Sequence, residues 1–250
     1  MLKIGLVIAI LGIIGALAFF SYNSGKQNSE PRDSSPSTSL RIQNDKDNNQ
    51  NGPPLKLKSI GVEFSDFKFT KEKLQFNRLF MGYGFIIPTS SAGPQKSNPQ
   101  PTFILPLGTK VRSLVDGVVV DIPTVWSGDF SVMVGTGDDK SPWRYETEHV
   151  KNVVVKVGDK VSAGQVIAEV SDFDKGAPAG YGAVEIGILK GGNPPQHICP
   201  FAYLDDSIKE ETFKKMNDFF KSWEEYIGDQ TLYNELDKIS GCLTDAPIEG

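Results

Sequence analysis

Hydrophobic positions along the chain follow four regimes. From Ile4 to Phe20 seventeen residues pass without a charge or a strongly polar side chain, just enough to cross a hydrocarbon layer of roughly 30 Å as a helix. Apolar on every face and followed by polar sequence, this run predicts a membrane-directed segment rather than a core helix, and residues 1–20 read as a transmembrane anchor or a signal peptide. Ala16-Leu17-Ala18 fits the small-x-small pattern of a cleavage site, so anchor and cleavable signal both remain open. In either case Lys3 keeps the short N-terminal side in the cytoplasm. The remainder is therefore expected to work outside the cytoplasmic membrane, single-pass anchored or secreted. From Ser21 to Pro54 only Leu40 and Ile42 are aliphatic among Ser, Asn, Asp, Gln and Pro. Residues 21–55 are accordingly predicted to be a disordered polar linker, because so little apolar surface cannot offset the entropy of ordering it.

From Lys56 to about Leu204 the apolar period is two and the punctuation is Gly and Pro, which predicts short strands joined by tight turns. Candidate strands are Ile60–Phe64, Phe85–Ile87, Thr102–Leu105, Lys110–Asp121, Ser131–Gly135, Arg144–Val150, Asn152–Val157, Gln165–Val170 and Ala183–Leu189. Asp116-Gly117, Gly158-Asp159 and Ala163-Gly164 supply the turns. The chain thus divides into a lead-in at 56–84, a β core at 85–204 and an extension at 205–250. In the extension the period becomes helical. Ser207 with Glu210 fits a capping box, and Ile208, Phe213, Met216, Phe219, Phe220, Trp223 and Ile227 recur at spacings of three and four until Gly228. A second, shorter helix is predicted from about Thr231 to Ser240, with Leu232, Leu236 and Ile239 on one face. The fold class expected is mainly β, with an N-terminal membrane helix and a C-terminal α-helical hairpin packed on the sheet or holding a partner.

Composition narrows the partners. Of 250 residues 39% are hydrophobic and 10% aromatic, enough for a core. A net charge of −5 gives no broad positive field for a phosphate backbone, so no nucleic-acid partner is expected. Two cysteines, Cys199 and Cys242, are too few for a disulfide scaffold, and their pairing stays open.

Four elements occur in order: Pro106-Leu-Gly-Thr-Lys-Val111, Val115-Asp-Gly-Val-Val-Val120, His149-Val, and Val155-Lys-Val-Gly-Asp-Lys-Val-Ser-Ala-Gly-Gln-Val-Ile167. Over about Phe85 to Leu204 the sequence resembles the lysostaphin-like (LytM-type) zinc endopeptidases. That resemblance implies a β core of the duplicated hybrid motif group, a sandwich or barrel-like peptidase core. It also implies a site in which a His and an Asp four residues later bind zinc with the second His of a His-x-His strand. The first His of that pair and the His of a Tyr-x-His segment are the catalytic imidazoles. Positions i and i+2 of a strand face one side, so His-x-His turns two imidazoles into one groove. Zinc then keeps an open position for water.

Carried onto this chain, the first ligand position falls on Asn98, the Asp position on Thr102 and the His-x-His positions near Ala183 and Glu185, while His149 takes the catalytic place. The family site uses four imidazoles, whereas His149 and His197 are the only histidines in the chain. Neutral oxygens at Asn98 and Thr102 do not replace an imidazole and a carboxylate. No metal ligands and no cofactor are therefore expected, and Asn98, Thr102, Ala183 and Glu185 read as residues of a former substrate groove. His197, in a Pro-bounded loop, reads as structural.

The function this predicts is an exported peptidase-like domain, leaning away from enzymatic activity, that binds a peptide, a glycan or a protein of the cell envelope. The alternative is a metalloendopeptidase with altered ligands, using zinc, with His149 as general base and Glu185 as ligand or base. A lipoyl-type carrier or transport adaptor shares the Val-x-Val-Gly-Asp turn. No heptad run lies between Val120 and Val153, and Lys140, in Gly137-Asp-Asp-Lys-Ser-Pro142, lacks the usual flanking pattern of a carrier lysine.

Overall fold

The computed structural model describes residues 52–89, 93–174 and 176–250. The expected membrane segment and nearly all of the expected linker lie outside the described residues. Among the described residues no helix is long and apolar enough to cross a membrane.

Among the described residues thirteen strands run in chain order: β1 (Phe80–Met81), β2 (Ile86–Ile87), β3 (Lys96–Ser97), β4 (Thr102–Pro106), β5 (Lys110–Arg112), β6 (Gly117–Asp121), β7 (Phe130–Gly135), β8 (Trp143–Lys151), β9 (Lys160–Val161), β10 (Val166–Val170), β11 (Tyr181–Lys190), β12 (Gln196–Ile198) and β13 (Ile248–Glu249). Eleven of them form one antiparallel sheet whose main path is β1-β4-β11-β8-β7-β6-β9; β10 joins β5 to β8, and β12 joins β13 to β11. The remaining pair, β2 with β3, makes a separate hairpin. The two long central strands, β8 and β11, are buried along most of their length: β11 is largely apolar, whereas β8 buries Glu146, Thr147 and His149 as well as Trp143, Tyr145 and Val150.

The periodicity located most strands, with three departures. Ile60–Phe64 is not a strand; a 3-10 turn at Phe64–Asp66 follows an isolated bridge at Leu57. Asn152–Val157 keeps the alternation, with Val154 69% exposed and Val153 and Val155 turned to the core. It has no strand partner, only a bond from the Val154 N–H to the Ile167 carbonyl. The predicted Lys110–Asp121 strand divides at Ser113–Asp116 into β5 and β6.

Among the described residues one α-helix forms, α1 (Asp206–Ile227). Its N-cap is Asp205, whose carboxylate accepts the Ser207 N–H at 3.0 Å, so the cap lies two residues before the predicted Ser207. Gly228 ends the helix in the left-handed conformation (φ 82°), which only glycine adopts without cost. The buried face carries Met216, Phe219, Phe220 and Trp223. It packs on the aromatic lead-in: the Phe67 and Phe219 rings are 4.4 Å apart, and the Trp223 indole donates to the Asn77 carbonyl at 2.9 Å.

The predicted second helix at 231–240 is absent, and the helical hairpin reduces to one helix. Asp229 and Asn234 accept the backbone N–H groups of Thr231 and Leu236, forming local turns that compete with a helix. Tyr233 stacks on Phe220 at 4.2 Å, and Leu236, predicted to face inward, is 91% exposed. So short a segment has too little propensity to overcome this. Downstream, Cys242 forms a disulfide with Cys199, fixing the tail beside the sheet where β13 pairs with β12.

Candidate functional site in the groove over the central strands

Three adjacent strands set a row of side chains side by side. Register pairs Thr102 of β4 with Glu185 of β11, and Glu185 in turn with Glu148 of β8. Strand alternation puts Glu146 beside Glu148 on the same face. His149, the next residue, should then point away. It does not, because β8 carries one extra residue here: Phe130 opposes Val150 but Val132 opposes Thr147. His149 absorbs that bulge at φ 60°, a left-handed conformation uncommon for residues other than glycine. The bulge turns consecutive residues Glu148 and His149 into one groove of about 480 Å³, together with Glu185, Asn98 and Trp126.

The imidazole is held on three sides. Its Nδ1 lies 3.2 Å from Asp129 Oδ1 and 3.1 Å from Ser127 Oγ. Its ring stacks on Phe173 at 3.3 Å between centroids, and Trp126 meets it edge-on at 5.9 Å. Burial pushes the Asp129 carboxyl upward, but bonds from Ser127 and Ser171 and the neighbouring His149 outweigh it and hold the group below the ordinary range.

The glutamates behave oppositely. Burial, reinforced by the charge of Glu148, pushes Glu185 up to about 8 and Glu146 up to about 7. Burial also raises Glu148. Glu146 has neutral partners in Ser131 and, at 2.9 Å, Gln100. Lys96 of β3 lines the groove and its charge favours ionised Glu148 and Glu185, but among the described residues no ion pair joins a cation to any of the three glutamates.

All five positions singled out in the sequence meet here. The Asn98 amide donates to Thr102 Oγ1 at 3.3 Å and to the Gly82 carbonyl at 3.3 Å, and the Thr102 hydroxyl donates to Glu185 at 3.1 Å. Ala183, fully buried, shares with Asn98, Thr102 and Glu185 a smaller recess of about 140 Å³. Sequence reasoning missed Glu146, Glu148 and Asp129. It also read His197 as lying outside the site, whereas His197 lines the same groove. Burial lowers that imidazole to about 4, so it is neutral near pH 7, and its Nδ1 has no partner.

A cation could be held by Glu148, His149 and Glu185, whose ligand atoms all lie within 4.8 Å of one another. This set shares only Glu185 with the three positions that the sequence resemblance assigned to zinc. The expectation of no metal ligands therefore overlooked Glu148, which alternation would have kept from joining His149.

No curated protein matches the sequence. Among solved structures, the solution structure of lysostaphin is similar at 22% identity and TM-score 0.35 over 48% of this chain and 47% of that one. The chain thus spans about half the length of that protein. The catalytic domain of a mutant of the prophage-encoded M23 protein EnpA from Enterococcus faecalis is similar at 23% identity and TM-score 0.36, over 53% of this chain and 92% of that one. A zinc-containing peptidase from Vibrio cholerae is similar at 20% identity and TM-score 0.40, over 57% of this chain and 39% of that one. Residues 102–194, which hold Thr102, Glu146, Glu148, His149 and Glu185, match the sequence profile of peptidase family M23. That segment of the chain is thus similar to peptidase family M23.

Proposed function

We propose that this peptidase-like domain binds a peptide of the cell envelope in the groove and does not run the zinc-dependent hydrolysis of that family. The observation that supports the reading is the hydrogen-bonded row Asn98–Thr102–Glu185. Zinc requires anionic or imidazole donors with a free lone pair. At the positions the resemblance assigns to it, the Asn98 NH2 group donates to three oxygens and the Thr102 hydroxyl is shared between the Gln100 carbonyl and Glu185. That set does not fit zinc. His149, anchored by Asp129, serves as a polar wall of the groove. The apolar run at residues 4–20 is the proposed route of export, as anchor or signal, with the partner on the far side of the membrane.

A second reading rests on the neighbouring set. Glu148, His149 and Glu185 converge, and Asp129 holds the Nδ1 of His149 as a supporting carboxylate does for a metal-ligating imidazole. A metal held there would supply an activated water, making the domain a metalloendopeptidase with altered ligands.

Metal analysis of the purified full chain, with cosedimentation on peptidoglycan sacculi and assay of released amines, separates the two. Sedimentation with sacculi, without retained zinc or release of fragments, is the outcome expected. Stoichiometric zinc with turnover that His149→Ala abolishes would establish the second reading instead.

A further inference from the structure

We infer that the recess beside the groove receives an aliphatic side chain of the bound peptide, no larger than leucine, and that Phe76 sets the size it accepts. The inference deepens the peptide-binding reading and rests on it. The recess of about 140 Å³ is continuous with the groove, sharing Ile87, Asn98, Phe173 and Glu185 with it. An apolar cavity of about 150 Å³ holds one benzene, so this volume admits an aliphatic group and excludes an indole.

Phe76, Met81, Ile87, Phe173 and Ala183 give the recess apolar walls. The polar side chains that reach it have partners already. The Asn98 amide donates to the Met81 and Gly82 carbonyls and to Thr102, the Thr102 hydroxyl is shared between the Gln100 carbonyl and Glu185, and Asp174 Oδ1 accepts the Gly176 N–H at 2.8 Å. Such a lining favours an apolar occupant over one that brings new hydrogen-bonding groups. Phe76 carries a second, independent mark. It and Asn77 hold φ values of 56° and 53°, two successive non-glycine residues in the left-handed region. The Asn77 carbonyl is fixed by the Trp223 indole N–H at 2.9 Å, and the Phe76 ring meets Phe85 at 5.2 Å. Conformations of this kind persist only where the surroundings over-determine them, and they gather at ligand clamps. Phe76, Met81 and Ile87 all precede residues 102–194, so this wall is supplied from outside the segment that matches family M23.

The test titrates the full chain with four N-acetyl tripeptide amides, glycine at both ends and glycine, alanine, leucine or tryptophan at the centre, followed by calorimetry. The alanine probe should bind about fourfold tighter than the glycine probe and the leucine probe about tenfold tighter or more, as burial of the added carbons requires. The tryptophan probe should gain nothing over glycine. In Phe76→Ala, with native circular dichroism, the tryptophan probe should bind about tenfold tighter than it does to the parent, because the wall that excludes it is gone. Equal affinities for glycine, alanine and leucine would overturn the inference. So would a tryptophan probe that binds the parent as tightly as leucine, or a folded Phe76→Ala chain with an unchanged ranking. The ranking is read on the unaltered chain, so it holds even where the variant fails to fold. Loss of the size preference with sacculus binding intact sinks this inference alone, whereas zinc-dependent turnover sinks the reading beneath it.

Discussion

Asp129, from the loop ahead of β7, holds Nδ1 of His149, twenty positions further along the chain, at 3.2 Å, while Ser127 bonds both residues. One imidazole nitrogen is thereby fixed by a buried carboxylate, and the ring orientation follows.

Removing that carboxylate should loosen the groove. Asp129→Ala leaves the Ser127 hydroxyl and His149 Nδ1 without their acceptor, and such a deletion costs about 1–3 kcal/mol. Urea unfolding should show a fall of that size, and Asp129→Asn, which keeps an acceptor oxygen, should lose less. Equal losses for the two variants would mean that packing rather than hydrogen bonding fixes His149.

Glu146 should make the protein less stable as pH rises. Its folded value of about 7 exceeds the unfolded 4.5, so the native state retains a proton that the unfolded chain releases. The benefit is complete below about 4.5, erodes up to about 7 and is absent above. Glu185 adds the same sign over a window reaching about 8. His197 acts oppositely: its value of about 4 lies below the unfolded 6.5, so its contribution is full above 6.5 and is lost as pH falls toward 4. Glu146→Gln keeps the side-chain shape without the charge. Relative to the parent it should gain roughly 2 kcal/mol between pH 5 and pH 8. Parallel denaturation curves for the two proteins at both pH values would refute this.

If Asn98, Thr102 and Glu185 occupy the family's zinc positions, restoring the ligands should restore the metal. A chain carrying Asn98→His, Thr102→Asp and Glu185→His is expected to retain one zinc per molecule through dialysis, since Asn98 and Glu185 both already touch Thr102. Absence of zinc in a variant with native circular dichroism would show that the register is misassigned.

A tight approach behind the groove makes Gly182 indispensable. A Cβ there would meet the Ser171 carbonyl at 2.0 Å, and that carbonyl accepts the N–H of Ala183. Gly182→Ala should cost about 1–3 kcal/mol through displacement of β11. Gly93→Ala, with open space around it, should stay within roughly 0.5 kcal/mol of the parent. Thermal melts of the pair provide the measurement.

Much of the β core was legible because Thr102–Pro106, Val166–Val170 and Tyr181–Lys190 alternate or run apolar between turn residues. The positions Asn98, Thr102, Ala183, Glu185 and His149 came from the motif order, and they do meet. Glu148 was illegible for a definite reason. Strict alternation forbids neighbours on a strand from sharing a face, and the bulge that lifts the rule leaves no mark in Glu148-His149-Val150. The failed helix at 231–240 is the converse case. Leu232, Leu236 and Ile239 have helical spacing, but Asp229 and Asn234 bind the backbone locally, a competition that spacing does not register. His197 was misread because a loop's sequence says nothing of the sheet edge on which β12 lays it.

The bond between Cys199 and Cys242 encloses the whole of α1. A protease that severed the backbone anywhere in that span would leave two fragments still joined. On a gel the damage would be visible only after reduction, and the helix would retain a covalent leash to the sheet it covers.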